Sequence, residues 1–299
     1  MIARPGTVGV VLPDPVTVEL PVTGPIAADE LLAFLARRAV PGVEVVSGRT
    51  YFRTLRIGSE VGTVAVRLLE TATARVVSRF RSPEAGAEAI RRCRRLFDLD
   101  TDGAAVDRVL SADPVLVRSV AACPGLRVPG TMDSAEMLVR AMLGQQVSVA
   151  GARTAATRLV TAADDRLAEP VDGLTHLFPA PDRIAALGPG VFAGPRSRAQ
   201  AINAAAAGLA DGSLDLRTGA PGVVRDRLLA LPGIGPWTAN YLAMRMLGDH
   251  DMLLVEDLAV RRGAAALGLP TQPKDLAARG LRWRPCRSYA GMHLWRASS

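Results

Sequence analysis

The spacing of apolar residues changes character once along the chain. From about Val8 to Phe80, β-branched residues alternate with polar ones or run together in short stretches broken by Gly and Pro. That is the pattern of strands with at least one covered face. Strands are expected at 16–20, 43–46, 51–57, 61–69 and 73–80. Among them, ADELLAFLARRAV at 28–40 puts Leu31, Leu32, Phe34, Leu35 and Val40 on one side of a helix. The expected unit is a small antiparallel sheet with covering helices. From Pro83 the period becomes helical and stays so. Helices are expected at 83–99, 104–111, 134–143, 148–164, 182–187, 196–210, 221–230, 237–247, 258–266, 274–279 and 287–297, some separated by Gly and Pro turns. The fold class that follows is α+β, with a sheet domain over 1–82 and an all-α domain over 83–299.

The 299 residues are 49% hydrophobic and 22% charged, enough to bury two cores of ordinary size, which excludes wholesale disorder. No apolar run reaches the roughly 18–20 residues of a membrane span. Cys93, Cys123 and Cys286 are too few for a disulfide scaffold, and the first residues lack the apolar core of a secretory signal, so a cytoplasmic location near the nucleoid is expected. The formal charge of +7 rests on 36 basic side chains, all arginine except Lys274. A polyanionic partner is expected, nucleic acid before membrane.

The most informative segment is LLALPGIGPWTANYLAMRML at 228–247. One helix stops at a proline, Gly233 and Gly235 follow, and a second helix starts near Pro236. Such a turn aims backbone N–H groups outward and can bind a phosphate without any side chain. A plain αα-hairpin has the same outline. The fuller string L-P-G-I-G-x-W-T-A resembles the helix-hairpin-helix of the DNA base-excision glycosylase superfamily. The resemblance implies a catalytic aspartate some twenty residues further on. Asp257 stands 22 positions after Gly235 and opens a D-x-x-V-x-R run with Val260 and Arg262. Glu256 is the weaker neighbour, and Asp257 can also cap the helix that follows. AEMLVRAMLGQQVSVAGART at 135–154 resembles the helix and loop that enter the minor groove beside the lesion. FLARRAV, RRLFDLD and PGLRVPG in the first half, and LRWRPCRSYAGMHLW at 281–295, resemble the DNA-3-methyladenine glycosylase II branch. Its extra domain is a small sheet with helices, similar to half of a TATA-binding protein.

The resemblance implies a base pocket of Phe34, Trp237, Tyr241, Leu258 and Trp295, and DNA contacts from Gln145, Gln146, Gly233, Gly235 and Thr238. It also implies a monovalent cation on the carbonyls of Leu229, Leu231 and Gly233. Three positions depart from the branch: Leu258 and Arg296 stand where it has aromatic residues, and Gln146 where its best-known member wedges a leucine into the DNA. Cutting a glycosidic bond inside a duplex requires extruding the nucleotide. A cationic alkylpurine is attracted to π faces and leaves readily, so the remaining need is a carboxylate beside the sugar. Bifunctional members carry a Schiff-base lysine in the hairpin, where this chain has Trp237, and Lys274 lies in a separate segment, so monofunctional chemistry is expected. With Cys286 alone near the carboxy terminus, the cysteine pattern of an iron–sulfur cluster is missing, and His176, His250 and His293 lack metal-ligand spacing. The expected protein is a monomeric, cofactor-free glycosylase that releases 3-methyladenine and related alkylated bases from damaged double-stranded DNA, with no membrane partner. The alternatives are a glycosylase of the same fold for oxidised or deaminated purines, or a non-catalytic DNA-binding helix-hairpin-helix. An aspartate in register argues against the last, because a pure binder gains nothing from an anion facing phosphates.

Overall fold

A computed structural model describes residues 14–70 and 72–298. The start of the strand-rich run at Val8, and the first thirteen residues of the expected sheet domain, lie outside them. Strands β1 (Val16–Pro21), β2 (Glu44–Ser47), β3 (Thr50–Ile57), β4 (Glu60–Leu68) and β5 (Thr73–Arg79) form one sheet of order β1-β5-β4-β3-β2 with every neighbouring pair antiparallel. Helix α1 (Ala28–Arg38) interrupts the strand order. The period-two pattern is realised in register: Tyr51 faces Val66 and Val66 faces Val76, all fully buried beside Leu31, Leu32, Phe34 and Leu35 of α1.

Helices α2 (Pro83–Leu96), α3 (Gly103–Ser111) and α4 (Val117–Ala122) continue the same apolar cluster, which also takes in the last helices of the chain, α11 (Leu258–Ala266), α12 (Pro273–Gly280) and α13 (Arg287–Ala297). A second cluster gathers α5 (Ser134–Leu143), α6 (Val149–Ala163), α7 (Pro181–Leu187), α8 (Arg196–Asp211), α9 (Pro221–Leu229) and α10 (Pro236–Met246). Ser82, Asp102, Asp133, Ser148 and Asp257 start their helices by accepting backbone N–H bonds on side-chain oxygens. Among the described residues no helix is long and apolar enough to cross a membrane.

The second half is largely helical rather than all α. Strands β6 (Arg166–Val171) and β7 (Leu174–His176) form a hairpin whose turn puts Asp172 and Gly173 at φ 53° and 80°. Asp-Gly is the residue pair such turns favour. Leu167, Leu174 and Leu177 pack on Val45, Phe52 and Val61, so the hairpin covers the second face of the sheet. Helix α4 was also not expected; it has six residues, too few for a periodicity to register. Helix α2 stops at Leu96 rather than 99 because Asp98 turns left-handed, at φ 51°, and its carboxylate accepts the Tyr289 hydroxyl at 2.8 Å.

Sheet and helices are joined by a set of largely buried charges. Arg53 on β3 donates to Glu136 on α5 at 2.6 Å, and Arg140 on α5 donates to both Glu136 and Glu44 at 2.7 Å. Glu44 also accepts the Tyr51 hydroxyl at 2.7 Å and the Val40 amide at 3.0 Å. Burial opposes its ionisation, but Arg140, Arg53 and these hydrogen bonds hold its pKa below the ordinary carboxylate value. Removing one member of such a set leaves a buried charge without its partner, at a cost of about 3–5 kcal/mol. Glu136→Gln is therefore expected to lower the unfolding free energy by that amount in urea titrations. A loss below about 1 kcal/mol would mean that water reaches Arg53.

Candidate active site

Two helices cross closely enough to bring their ends together. At Gly263 of α11 an added Cβ would lie 1.8 Å from the Leu294 carbonyl of α13. Only glycine permits that approach, and through it the start of α11 meets Trp295. Asp257 caps α11, with Oδ1 accepting the Ala259 and Val260 amides at 2.9 Å each. The Trp295 indole donates to the same oxygen at 3.0 Å, and the Trp237 indole donates to Oδ2 at 3.1 Å. Trp237 stacks on Tyr241, one turn later on α10, at 5.5 Å and 5°, while Trp295 meets Tyr241 edge-on at 6.5 Å. Glu256 is exposed and is not part of the lining of the cavity that these residues share, so the geometry brings Asp257 and not Glu256 among the aromatics.

That cavity, of about 1170 Å³, lies between the two apolar clusters. Phe34, Trp237, Tyr241, Leu258 and Trp295 all line it, as expected. Leu258 is 58% exposed and shares the rim with exposed Val147 and Val149. Arg296, in place of an aromatic, is exposed and donates to Glu30 on α1 at 3.1 Å. The third tryptophan is elsewhere: Trp283 is fully buried and donates to Asp113 at 2.7 Å. Among the cavity residues not read from the sequence are two arginines beside its aromatics. Arg38 stands over the Phe34 ring at 3.6 Å, and Arg245 donates to the Tyr241 hydroxyl at 2.6 Å. Each follows its aromatic by four positions on a helix, a spacing that could have disclosed both pairs. Burial opposes ionisation of Tyr241, yet Arg245, Arg38 and Arg140 hold its pKa below the ordinary phenol value.

The turn between α9 and α10 contains Gly233 and Gly235. Gly233 has φ 79° and needs glycine. Gly235 does not: it caps α10 with φ −90° and ψ 175°, and a Cβ there would meet nothing within 4 Å. Thr238 is buried in the first turn of α10, and its hydroxyl accepts Gln145 Nε2 at 3.1 Å. Gln145 Nε2 also donates to the Gly233 carbonyl at 2.8 Å, and Arg198 donates to the Gln145 carbonyl at 2.7 Å. The loop between α5 and α6 is thus fastened to the hairpin, and Gln146 stands exposed at its tip with φ 59°. Of the three carbonyls considered for a cation, Gly233 meets that amide donor and Leu231 accepts the Ile234 amide at 3.1 Å. A cation there would stand against the Gln145 N–H group at the Gly233 oxygen, a poor fit. Lys274 is exposed on α12 and does not line the cavity. The histidines serve hydrogen bonds: His176 with Thr175, His250 with Tyr289, and His293 with Ser119. Burial first, then Arg296, lowers the His293 pKa to about 4.

A five-stranded sheet, a helix-hairpin-helix and a capping aspartate between two indoles define a class, the helix-hairpin-helix glycosylase fold. A 3-methyladenine DNA-glycosylase from Archaeoglobus fulgidus shares that fold, superposing with a TM-score of 0.82 over 93% of this chain and 97% of its own at 19% identity. The AlkA N-terminal domain family matches residues 17–133. DNA-3-methyladenine glycosylase 2 of Escherichia coli is 35% identical over 272 residues, 89% of this chain and 92% of that protein. The chain belongs to this DNA-3-methyladenine glycosylase family. The probable bifunctional transcriptional activator/DNA repair enzyme AlkA of Mycobacterium tuberculosis is 44% identical over 283 residues, 94% of this chain but 56% of that protein. The chain thus spans a little over half the length of that relative.

Gly263→Ala tests how the site is built. Forcing a methyl against the Leu294 carbonyl is expected to cost about 1–3 kcal/mol and to separate Trp295 from Asp257. Thermal melting and indole fluorescence would register both changes. Unchanged values in the two measurements would mean that the helices can part without loss.

Proposed function

We propose that the chain is a monofunctional DNA glycosylase that excises alkylated bases, 3-methyladenine among them, from damaged duplex DNA as a monomer in base excision repair. The observation that carries this reading is the Asp257 carboxylate, fixed by four N–H donors in the wall of an aromatic cavity. The amides of the Gly233–Gly235 turn and the first turn of α10 take a backbone phosphate, assisted by the helix dipole. Gln146 enters the gap left by the extruded nucleotide. The base stacks in the cavity among Trp237, Tyr241 and Trp295. Oδ1 already accepts three hydrogen bonds, whereas Oδ2 accepts one, so Oδ2 is the oxygen that faces the sugar and the attacking water. As the C1′–N bond breaks, the carboxylate stabilises the positive sugar and receives the proton that water gives up. The support is the family membership, the names its relatives carry and the position of Asp257.

Asp257→Asn, which keeps the size of the side chain, is expected to lower single-turnover release of 3-methyladenine from methylated duplex by about 10² to 10⁴ while leaving duplex binding intact. Near-normal release in that variant, with loss in Glu256→Gln, would move the role by one residue.

Borohydride provides the second test. An imine at C1′ needs an amine within reach, and the hairpin offers Trp237 in its place. Release of the base is expected to leave the strand uncut and no trapped protein–DNA adduct. A stoichiometric adduct, or strand breaks in step with base release, would overturn the monofunctional reading.

A further inference from the structure

Most of the arginines that line the cavity are engaged within the protein. Arg53 and Arg140 pair with Glu44 and Glu136, Arg296 pairs with Glu30, and Arg245 donates to the Pro129 and Gly130 carbonyls. Arg153 on α6 and Arg262 on α11 are different. Both are exposed, both line the cavity, and among the described residues neither side chain has a hydrogen bond, an ion pair or a ring contact. The contrast is sharpest on α11, where the preceding Arg261 donates to the Thr271 carbonyl at 2.7 Å. Arg37 is also exposed on the cavity lining, but it closes α1, where the negative end of the helix accounts for a cation.

The two helices present these arginines in the same way. On α6 the cavity is met by Val149, Ala152, Arg153 and Ala156, and on α11 by Leu258, Ala259 and Arg262, the spacings of one helical face. Each face starts with an exposed apolar side chain, Val149 or Leu258, and carries its guanidinium one turn further along. Asp257 immediately precedes Leu258, so Arg262 stands about 7.5 Å beyond it along the helix axis. That placement answers a problem of charge. A nucleotide that enters the cavity brings its own phosphates to the mouth, and the Asp257 carboxylate, which has to face the sugar, repels them. A guanidinium with no partner of its own offsets that repulsion and can grip two phosphate oxygens at once.

We propose that Arg153 and Arg262 are phosphate-binding residues that take the backbone of the extruded nucleotide at the cavity mouth, so that they hold the flipped-out strand and not the intact duplex. The proposal rests on the glycosylase reading above. To the hairpin amides, which meet the backbone whether or not a base has left the stack, it adds contacts that exist only after extrusion. In the test, the full chain is titrated with two duplexes that differ at one position, which holds either an ordinary nucleotide or a tetrahydrofuran abasic-site analogue. The analogue has no base to keep it in the stack and no glycosidic bond to cut, and anisotropy is read over a series of salt concentrations. Arg262→Gln and Arg153→Gln are each expected to weaken binding of the analogue duplex by about fivefold or more and to lower its slope of log K against log salt by about 0.9, while binding of the ordinary duplex stays within about twofold. Arg262→Lys and Arg153→Lys, which keep the charge, are expected to keep the slope. Arg108→Gln removes the same charge from an exposed position on α3 outside the cavity and is expected to change binding of neither duplex. Equal losses on the two duplexes, a loss matched by Arg108→Gln, or unchanged binding of both overturns the proposal. Base release from methylated duplex by the wild type separates the two readings. No release overturns the glycosylase reading and the proposal with it, whereas release with unchanged binding in the glutamine variants overturns the proposal alone.

Discussion

Glu44 and Glu136 each lie between the guanidinium groups of Arg53 and Arg140, largely buried in the cavity wall, and the cavity depends on how these four side chains are held. Single charges at that depth would be prohibitive; in this arrangement each anion has two cations, and the Tyr51 hydroxyl and Val40 amide satisfy further lone pairs of Glu44. The set is also directional. Arg140 donates to the Arg38 carbonyl at 2.6 Å, which fixes the end of α1, and α1 is the helix that turns Phe34 and Arg38 toward the cavity. A group of hydrophobic side chains of similar volume could hold the sheet against α5, but it would not dictate the angle at which α1 arrives.

On the opposite wall one side chain has two tasks. Asp257 starts α11 as many aspartates start helices, and it also receives both indole N–H groups of the cavity. The cap orients the carboxylate, and the carboxylate orients the indoles, so the planes of Trp237 and Trp295 are set by hydrogen bonds as well as packing. Gln145 links elements in a similar way. By binding both Gly233 and Thr238 it ties the exposed tip at Gln146 to the turn between α9 and α10.

Most of the architecture was legible in the sequence, for identifiable reasons. The five strands follow a period of two, the longer helices carry clear apolar faces, and the spacing from Gly235 to Asp257 survives folding because a short segment of fixed length joins α10 to α11. The hairpin at 166–176 was missed because its apolar residues, Leu167, Val171 and Leu174, are sparse and lie among charged ones, although Asp172-Gly173 marked the turn. Which of the two neighbouring glycines takes the left-handed backbone was not legible: it is Gly233, whereas Gly235 caps α10 at φ −90°. The arginines of the cavity were hidden for a different reason. Arg38 at the end of a helix reads as a solvated, dipole-compensating residue, and nothing local reveals that another helix and a sheet will close around it.

Phe34 and Trp295 stand at opposite ends of the described chain yet face one cavity, and Arg296 reaches back to Glu30. A polypeptide emerging from the ribosome can complete its sheet, its buried charges and its hairpin well before this wall exists. Only when α13 has been released does Asp257 acquire its second indole. A chain that ends between α10 and Trp295 carries the Gly233–Gly235 turn and the Trp237 donor to Asp257 but lacks the second indole and the last wall of the cavity.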